Sequence, residues 1–265
     1  MAKTNLNLPD EFSELVLQGS LIVAQDKANP IRAHLASAGI RELFSHILHH
    51  YAPDEEVRAC SWFVQAKDTK TVTRRQRAVF ATQGGLTDDY VDSLGVDVKE
   101  LHNVAIDAID RLNKATHVRP GRVVSDQQVI DAFVDEMLDA MDGLLTSFSE
   151  CRAAVCRALE NNAYDALITA TVTETIEELD FLSGRGYELS GPVDGGELEV
   201  LSISAAEVVV KYSGVVPITL HHGDKHDPIE IGHDFPFWMT LSAPADNPTA
   251  LEHREYFFDD SGWYK

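Results

Sequence analysis

Arg111, Asn113, Lys114 and His117 lie in one short stretch, RLNKATH, and they are residue types that act on phosphodiesters. A guanidinium can stabilise the charge that builds on a pentacovalent phosphorus. An imidazole gains and loses protons near neutral pH. With the spacing R-x5-H near a helix end, Arg111 and His117 can both reach one phosphate. Together they suit RNA cleavage without a metal, with the 2′-hydroxyl as nucleophile. The same residues also have a structural use. Asp107–Arg111 and Asp110–Lys114 are i,i+4 pairs with the acid first, the stabilising order on an exposed helix. A histidine near a helix C-terminus is likewise favoured as a cation.

Other groupings compete with this one. Arg41 and His46 form a second Arg/His pair and a backup site, but five helical steps of about 100° set their side chains about 140° apart. Lys67, Lys70, Arg74, Arg75 and Arg77 make a basic island against Asp68 alone. Arg111, Lys114, Arg119 and Arg122 make another, with no acid between Arg111 and Arg122. Side by side, the two would form a cationic groove for a phosphate backbone. Pro53-Asp54 followed by Asp68-Thr69-Lys70 fits the loose PD…(D/E)xK pattern of metal-dependent nucleases, whose carboxylates hold Mg²⁺. That chemistry needs the residues on strands, and here Asp68 reads as loop. His221, His222, Asp224, His226 and Asp227 are possible metal ligands, but they read as a hairpin loop.

The elements that must position these residues are mostly helical. Residues 97–121 carry Leu101, Val104, Ala108, Leu112 and Ala115 at steps of three and four, an amphipathic stripe, and Pro120-Gly121 stops the helix. Before it, a helix over residues 10–25 has Phe12, Leu15, Val16, Gly19 and Ile22 on one face. The next runs from Asn29-Pro30 to about Tyr51, with a core face of Ile40, Leu43, Phe44, Ile47, Leu48 and Tyr51. Residues 57–64 read as a short strand or covered segment. Thr73 with Gln76 has the capping-box spacing for a helix over 73–82, and a short helix follows over 87–94. Ser125 with Gln128 has the same spacing and starts a long helix, with a break expected near Gly143 and a separate helix over 164–182. Beyond Gly184 the chain reads as antiparallel strands over 197–203, 207–212, 215–220, 235–241 and 252–258, with Ser213-Gly214 as a tight turn. The expected fold is α+β: an N-terminal helix (1–27), a helical domain (28–183) and a C-terminal antiparallel β domain (184–265).

Composition limits the function classes. The chain has 265 residues and a formal net charge of −21. Such a protein repels polyphosphates overall, so a nucleic-acid site must be a local basic island. Cys60, Cys151 and Cys156 are not a disulfide framework, and they read as reduced thiols. The opening MAKTNLNLPDEF lacks a signal-peptide pattern and no apolar run reaches the length of a span. The expected location is the cytoplasm, away from membranes. The sequence has no Gly-rich phosphate loop, CxxC pair or GxSxG elbow.

Arg111-x-Asn113-Lys114-x-x-His117 resembles the R-x4–6-H signature of HEPN-type ribonucleases, and the surrounding helices are compatible with their all-α bundle. The stretches NPIR (29–32), YAPDEEV (51–57), TRRQR (73–77), QGGLTDDYV (83–91) and KATHV (114–118) resemble the predicted pPIWI-associated nucleases of prokaryotic conflict or antiphage systems. The resemblance spans residues 28–182, and the β tail is similar too. It implies His117 as general acid/base, Arg111 stabilising the phosphorane and Asn113 orienting the phosphate. Arg74, Arg75 and Arg77 would grip the strand, with Lys114 and Arg119 nearby. It also implies a homodimer, RNA or another nucleic acid as substrate, a partner protein of a defence operon, and no cofactor. The alternatives are a non-catalytic helical dimer that binds nucleic acid or a partner, and a metal-dependent PD-(D/E)xK-like nuclease.

Overall fold

Helix starts follow local sequence closely. The structure, a computed structural model, describes residues 6–264 other than 68, 97 and 120. Asp68 of the metal-dependent alternative, the helix start at 97 and the helix stop at Pro120 therefore lie outside the described residues. Eight helices and five strands are described: α1 (Glu11–Gln25), α2 (Arg32–Tyr51), α3 (Asp54–Ala59), α4 (Arg74–Gln83), α5 (Asp88–Ser93), α6 (Val98–Ala115), α7 (Gln127–Thr173), α8 (Glu177–Leu182), β1 (Tyr187–Leu189), β2 (Asp194–Ile203), β3 (Glu207–Gly223), β4 (Pro228–Pro244) and β5 (Glu252–Phe258). The fold is α+β. Two units divide the chain, Met1–Cys151 and Arg152–Lys265, so α7 contributes to both.

In the first unit, the Asp10 carboxylate accepts the Ser13 N–H at 2.7 Å ahead of α1. Thr73 and Gln76 form the expected reciprocal capping box at α4, and Thr87 caps α5. At α7 the cap differs from expectation. Asp126, not Ser125, accepts from the N–H groups of Gln128 (2.8 Å) and Val129 (3.4 Å). Residues 57–64 form no strand: α3 occupies 54–59 and irregular backbone follows.

The core is built on α2, whose Ile40, Leu43, Phe44 and Ile47 are fully buried. They belong to one apolar cluster with Ala105, Ala108, Ile109 and Leu112 of α6 and Ile130, Met137, Met141 and Leu144 of α7. The buried stripe of α6 is therefore rotated from the expected one. Ala105 and Ile109 are buried, while Val104 is 47% exposed. On α1 the difference is larger. Its buried residues are Ser13, Leu17, Ser20 and Ala24, and Phe12, Leu15 and Ile22 are 55%, 69% and 70% exposed. On that buried face α1 comes close to α2, and a side chain added at Gly39 would collide with Ser20. A buried polar trio also sits in this unit. Thr82 Oγ1 lies 2.7 Å from His102 Nε2 and 3.2 Å from Ser147 Oγ.

In the second unit the strands form one antiparallel sheet, in which β3 pairs with β1, β2 and β4, and β4 pairs with β5. Alternation is regular along β3 and β4: Val208, Val210, Tyr212, Val216, Ile218 and Leu220 are buried, as are Phe235, Phe237, Met239, Leu241 and Ala243. The register sets Val210 opposite Leu241 and Val216 opposite Phe235 on that face. Ser213-Gly214 is not a turn but part of continuous β3. A Cβ at Gly214 would lie 2.6 Å from Val193 Cγ1 and 3.1 Å from the Asp194 carbonyl. Glycine is there for the close passage of the neighbouring strand. The hairpin turn comes later, at Gly223 with φ +75°. Nor does α7 break at Gly143. It continues to Thr173, so the expected separate helix over 164–182 is the end of α7 followed by α8. No helix among the described residues is long and apolar enough to cross a membrane.

Candidate functional site

Three of the sequence-identified residues meet at the end of α6. The helix stops at Ala115, and His117 follows in a bend. Arg111, Lys114 and His117 line one cavity of about 320 Å³. The other walls come from His34 and Ser37 of α2, Arg122 and Val124 of the connecting segment, and Val129, Ile130, Phe133 and Val134 of α7. Three cations and two imidazoles thus surround a largely apolar hollow, and no carboxylate lines it among the described residues. On a protein of net charge −21 this is a local cationic spot, and it attracts anions.

Arg111 is held at the edge of this hollow. Its guanidinium forms a two-pronged pair with the Glu136 carboxylate of α7, with Nη2 donating to Oε2 at 2.8 Å. It also lies 5.6 Å from the Phe133 ring centroid, within cation–π range. Both partners of the ion pair are about half exposed, so an incoming anion can compete for Arg111. His117, Lys114 and Arg122 are exposed.

His34 was not singled out by the sequence reading. It is 6% exposed and its Nδ1 lies 2.5 Å from the Ala115 carbonyl, 81 positions along the chain. A carbonyl only accepts, so Nδ1 carries the proton and Nε2 in the neutral ring bears a lone pair. That Nε2 is closed to solvent and has no hydrogen-bond partner. Nearby, Arg32 donates from Nη2 to the Ser125 carbonyl at 2.5 Å, tying the start of α2 to the segment before α7. The one local signal was the NPIR stretch, which ends two residues before His34.

The remaining sequence candidates are placed elsewhere or engaged. Asn113 is half-buried, and the cavity wall does not include it. Arg119 is exposed and also outside the wall. Arg74 is exposed and Arg75 donates to Asn103 Oδ1 at 2.8 Å. Arg77 is 5% exposed, donates to the Ala52 carbonyl at 2.5 Å and pairs with Asp54. That guanidinium holds the Asp54 carboxyl below its ordinary range. Arg77 is therefore spent on packing α4 against the end of α2, and only its neighbours Arg74 and Arg75 face outward. Arg41 pairs with Glu42, whereas His46 Nε2 lies 2.8 Å from Asp10 Oδ2, so the backup residues have different partners. His46 and Ser13 together hold the Asp10 carboxyl well below the usual range. The His221–Asp227 segment is the end of β3 and the hairpin turn, where Asp224 accepts from the His226 and Asp227 N–H groups. No group of three or more His, Cys, Asp or Glu is placed to hold a metal among the described residues.

The family comparisons agree with the resemblance to pPIWI-associated nucleases. A family model described as "Predicted pPIWI-associating nuclease" matches residues 5–141, and a second with the same description matches residues 148–264. No curated protein matches the chain, and no solved structure does.

Proposed function

The chain belongs to the predicted pPIWI-associating nuclease family, and from that premise we propose that it cleaves RNA at the cavity between α2, α6 and α7. In this reading His117 is a general acid/base and Arg111 stabilises the phosphorane. Lys114 and Arg122 hold the phosphate, with Arg74, Arg75 and Arg119 as outer contacts for the strand. The observation that carries it is the shared cavity: guanidinium, ammonium and imidazole groups line one hollow with no acid in the wall. Such a lining favours a phosphate over a divalent cation, so the chemistry runs without a metal cofactor. The apolar floor of Val129, Ile130 and Phe133 suits the face of a nucleobase. The setting is a prokaryotic conflict or antiphage system, with a cytoplasmic protein acting beside an operon partner. A homodimer is part of this proposal, supported by the exposed apolar row Phe12, Leu15 and Ile22 on α1.

The test is His117→Ala. RNA cleavage and any toxicity in the producing cell should vanish while the melting temperature stays put, and EDTA should leave the wild-type rate unchanged. Cleavage that survives His117→Ala removes the assignment, and cleavage abolished by chelation points instead to Asp54, Asp68 and Lys70. One observation favours a second reading, a non-catalytic module that binds nucleic acid or a partner: the pairing of Arg111 with Glu136. In that case Arg111 and His117 variants would change binding or assembly, and no preparation would cut RNA.

A further inference from the structure

We propose that His34 is a second working imidazole of this site, the general base that faces the 2′-hydroxyl of a bound ribonucleotide. The inference rests on the reading of the cavity as an RNA-cleaving site. Its own support is the tautomer. Nδ1 sits 2.5 Å from the Ala115 carbonyl, so its proton is fixed there and the basic nitrogen is Nε2. The carbonyl belongs to the last residue of α6, so the bond ties the ring of α2 to the end of the helix that carries Arg111 and Lys114. His34 is buried in the cavity wall, and Nε2 has no partner and no contact with bulk water. A buried acceptor left unmet is unfavourable. Packing alone does not require it, because the bond to Ala115 uses only Nδ1. The neighbouring wall side chains Arg111, Lys114, His117 and Arg122 are exposed.

The step balances without a co-reactant. Nε2 of His34 takes the proton of the 2′-hydroxyl as that oxygen bonds to phosphorus. The bond from phosphorus to the 5′-oxygen breaks, and the departing oxygen takes a proton from the His117 imidazolium. The products are a 2′,3′-cyclic phosphate and a 5′-hydroxyl. Arg111 stabilises the five-coordinate intermediate.

His34→Asn separates this role from a structural one. The asparagine amide nitrogen can replace Nδ1 in the bond to Ala115, but nothing replaces Nε2. With a fluorophore–quencher RNA oligonucleotide, His34→Asn should melt as the wild type does. It should cleave about a hundredfold or more slowly and lose the ascending limb of the pH–rate profile. His34→Asn that keeps the wild-type rate and profile overturns the proposal while leaving the His117 reading intact. Wild-type cleavage that survives His117→Ala, or no cleavage by the wild type at all, sinks the site reading and this inference with it. Should His34→Asn melt early, the wild type decides by ¹⁵N histidine spectra. His34 Nε2 must shift upfield with uridine 3′-phosphate and not with its 2′-deoxy counterpart, and equal response to both overturns the assignment.

Discussion

If the α2–α6–α7 cavity cleaves RNA as proposed, replacing Glu136 by Gln should speed that cleavage. Arg111 is engaged by the Glu136 carboxylate, so a substrate phosphate must share or take over the guanidinium. Two anions about 5 Å apart at a solvent-exposed site repel by about 1 kcal/mol, and that energy is about a fivefold change in an equilibrium constant. The pair itself contributes little to stability: both side chains are about half exposed, and such pairs contribute about 0–1 kcal/mol. Glu136→Gln should therefore raise kcat/KM on an RNA oligonucleotide about threefold to tenfold, with the melting temperature nearly unchanged. The gain should shrink as salt is added, because screening reaches across such distances. Arg111→Ala in the same assay should lose about a hundredfold or more. A Glu136→Gln protein that is folded but no faster, at low salt as well as high, would refute the idea that Arg111 must leave Glu136 to act.

Three other outcomes concern the scaffold. Burial, with Arg75 close by, pushes the His102 pKa down to about 4 from 6.5, so the folded protein excludes a proton that the unfolded chain accepts. Stability from this group is complete above pH 6.5 and is lost as pH falls towards 4, by about 3 kcal/mol in all; chemical denaturation at several pH values should show the slope, and His102→Gln should flatten it. Asp54→Asn leaves the buried Arg77 cation without its counter-charge and should cost about 2 kcal/mol, below the figure for fully buried pairs because Asp54 is half exposed; Arg74→Ala should cost no more than about 0.5 kcal/mol. Gly39→Ala should cost about 1–3 kcal/mol by forcing Ser20 aside, and adding Ser20→Ala should recover part of it in the same denaturation assay.

Periodicity made the fold class readable. Helical spacing ran through the first two-thirds of the sequence, and alternation filled the last third. The cap at Thr73 was legible because its hydrogen bonds are local. Glycine was the main source of error. Gly143 and Gly214 read as breaks, yet each sits inside a continuous element. An isolated glycine costs a helix only about 1 kcal/mol relative to alanine, and the flanking Met141 and Leu144 are buried in the core. At Gly214 the missing side chain is what admits the neighbouring strand. On α1 the expected row splits, with Val16 packed against the core and Phe12, Leu15 and Ile22 exposed, and the helix buries Ser13, Leu17, Ser20 and Ala24 instead, the face on which Ser20 meets Gly39. At the candidate site, Arg111, Lys114 and His117 were visible because one helical end carries them together. His34 was not, since its link to that end spans 81 positions and leaves no spacing to detect.

The cavity takes its sides from residues near 34, 115 and 130, and no single fragment owns it. A peptide copied from the α6 terminus would carry the guanidinium and the imidazole yet lack a chamber to work in. During synthesis the hollow cannot exist until Val134 has been added and the three helices have closed around it. An incomplete or unfolded copy therefore lacks the chamber altogether, whatever side chains it already carries.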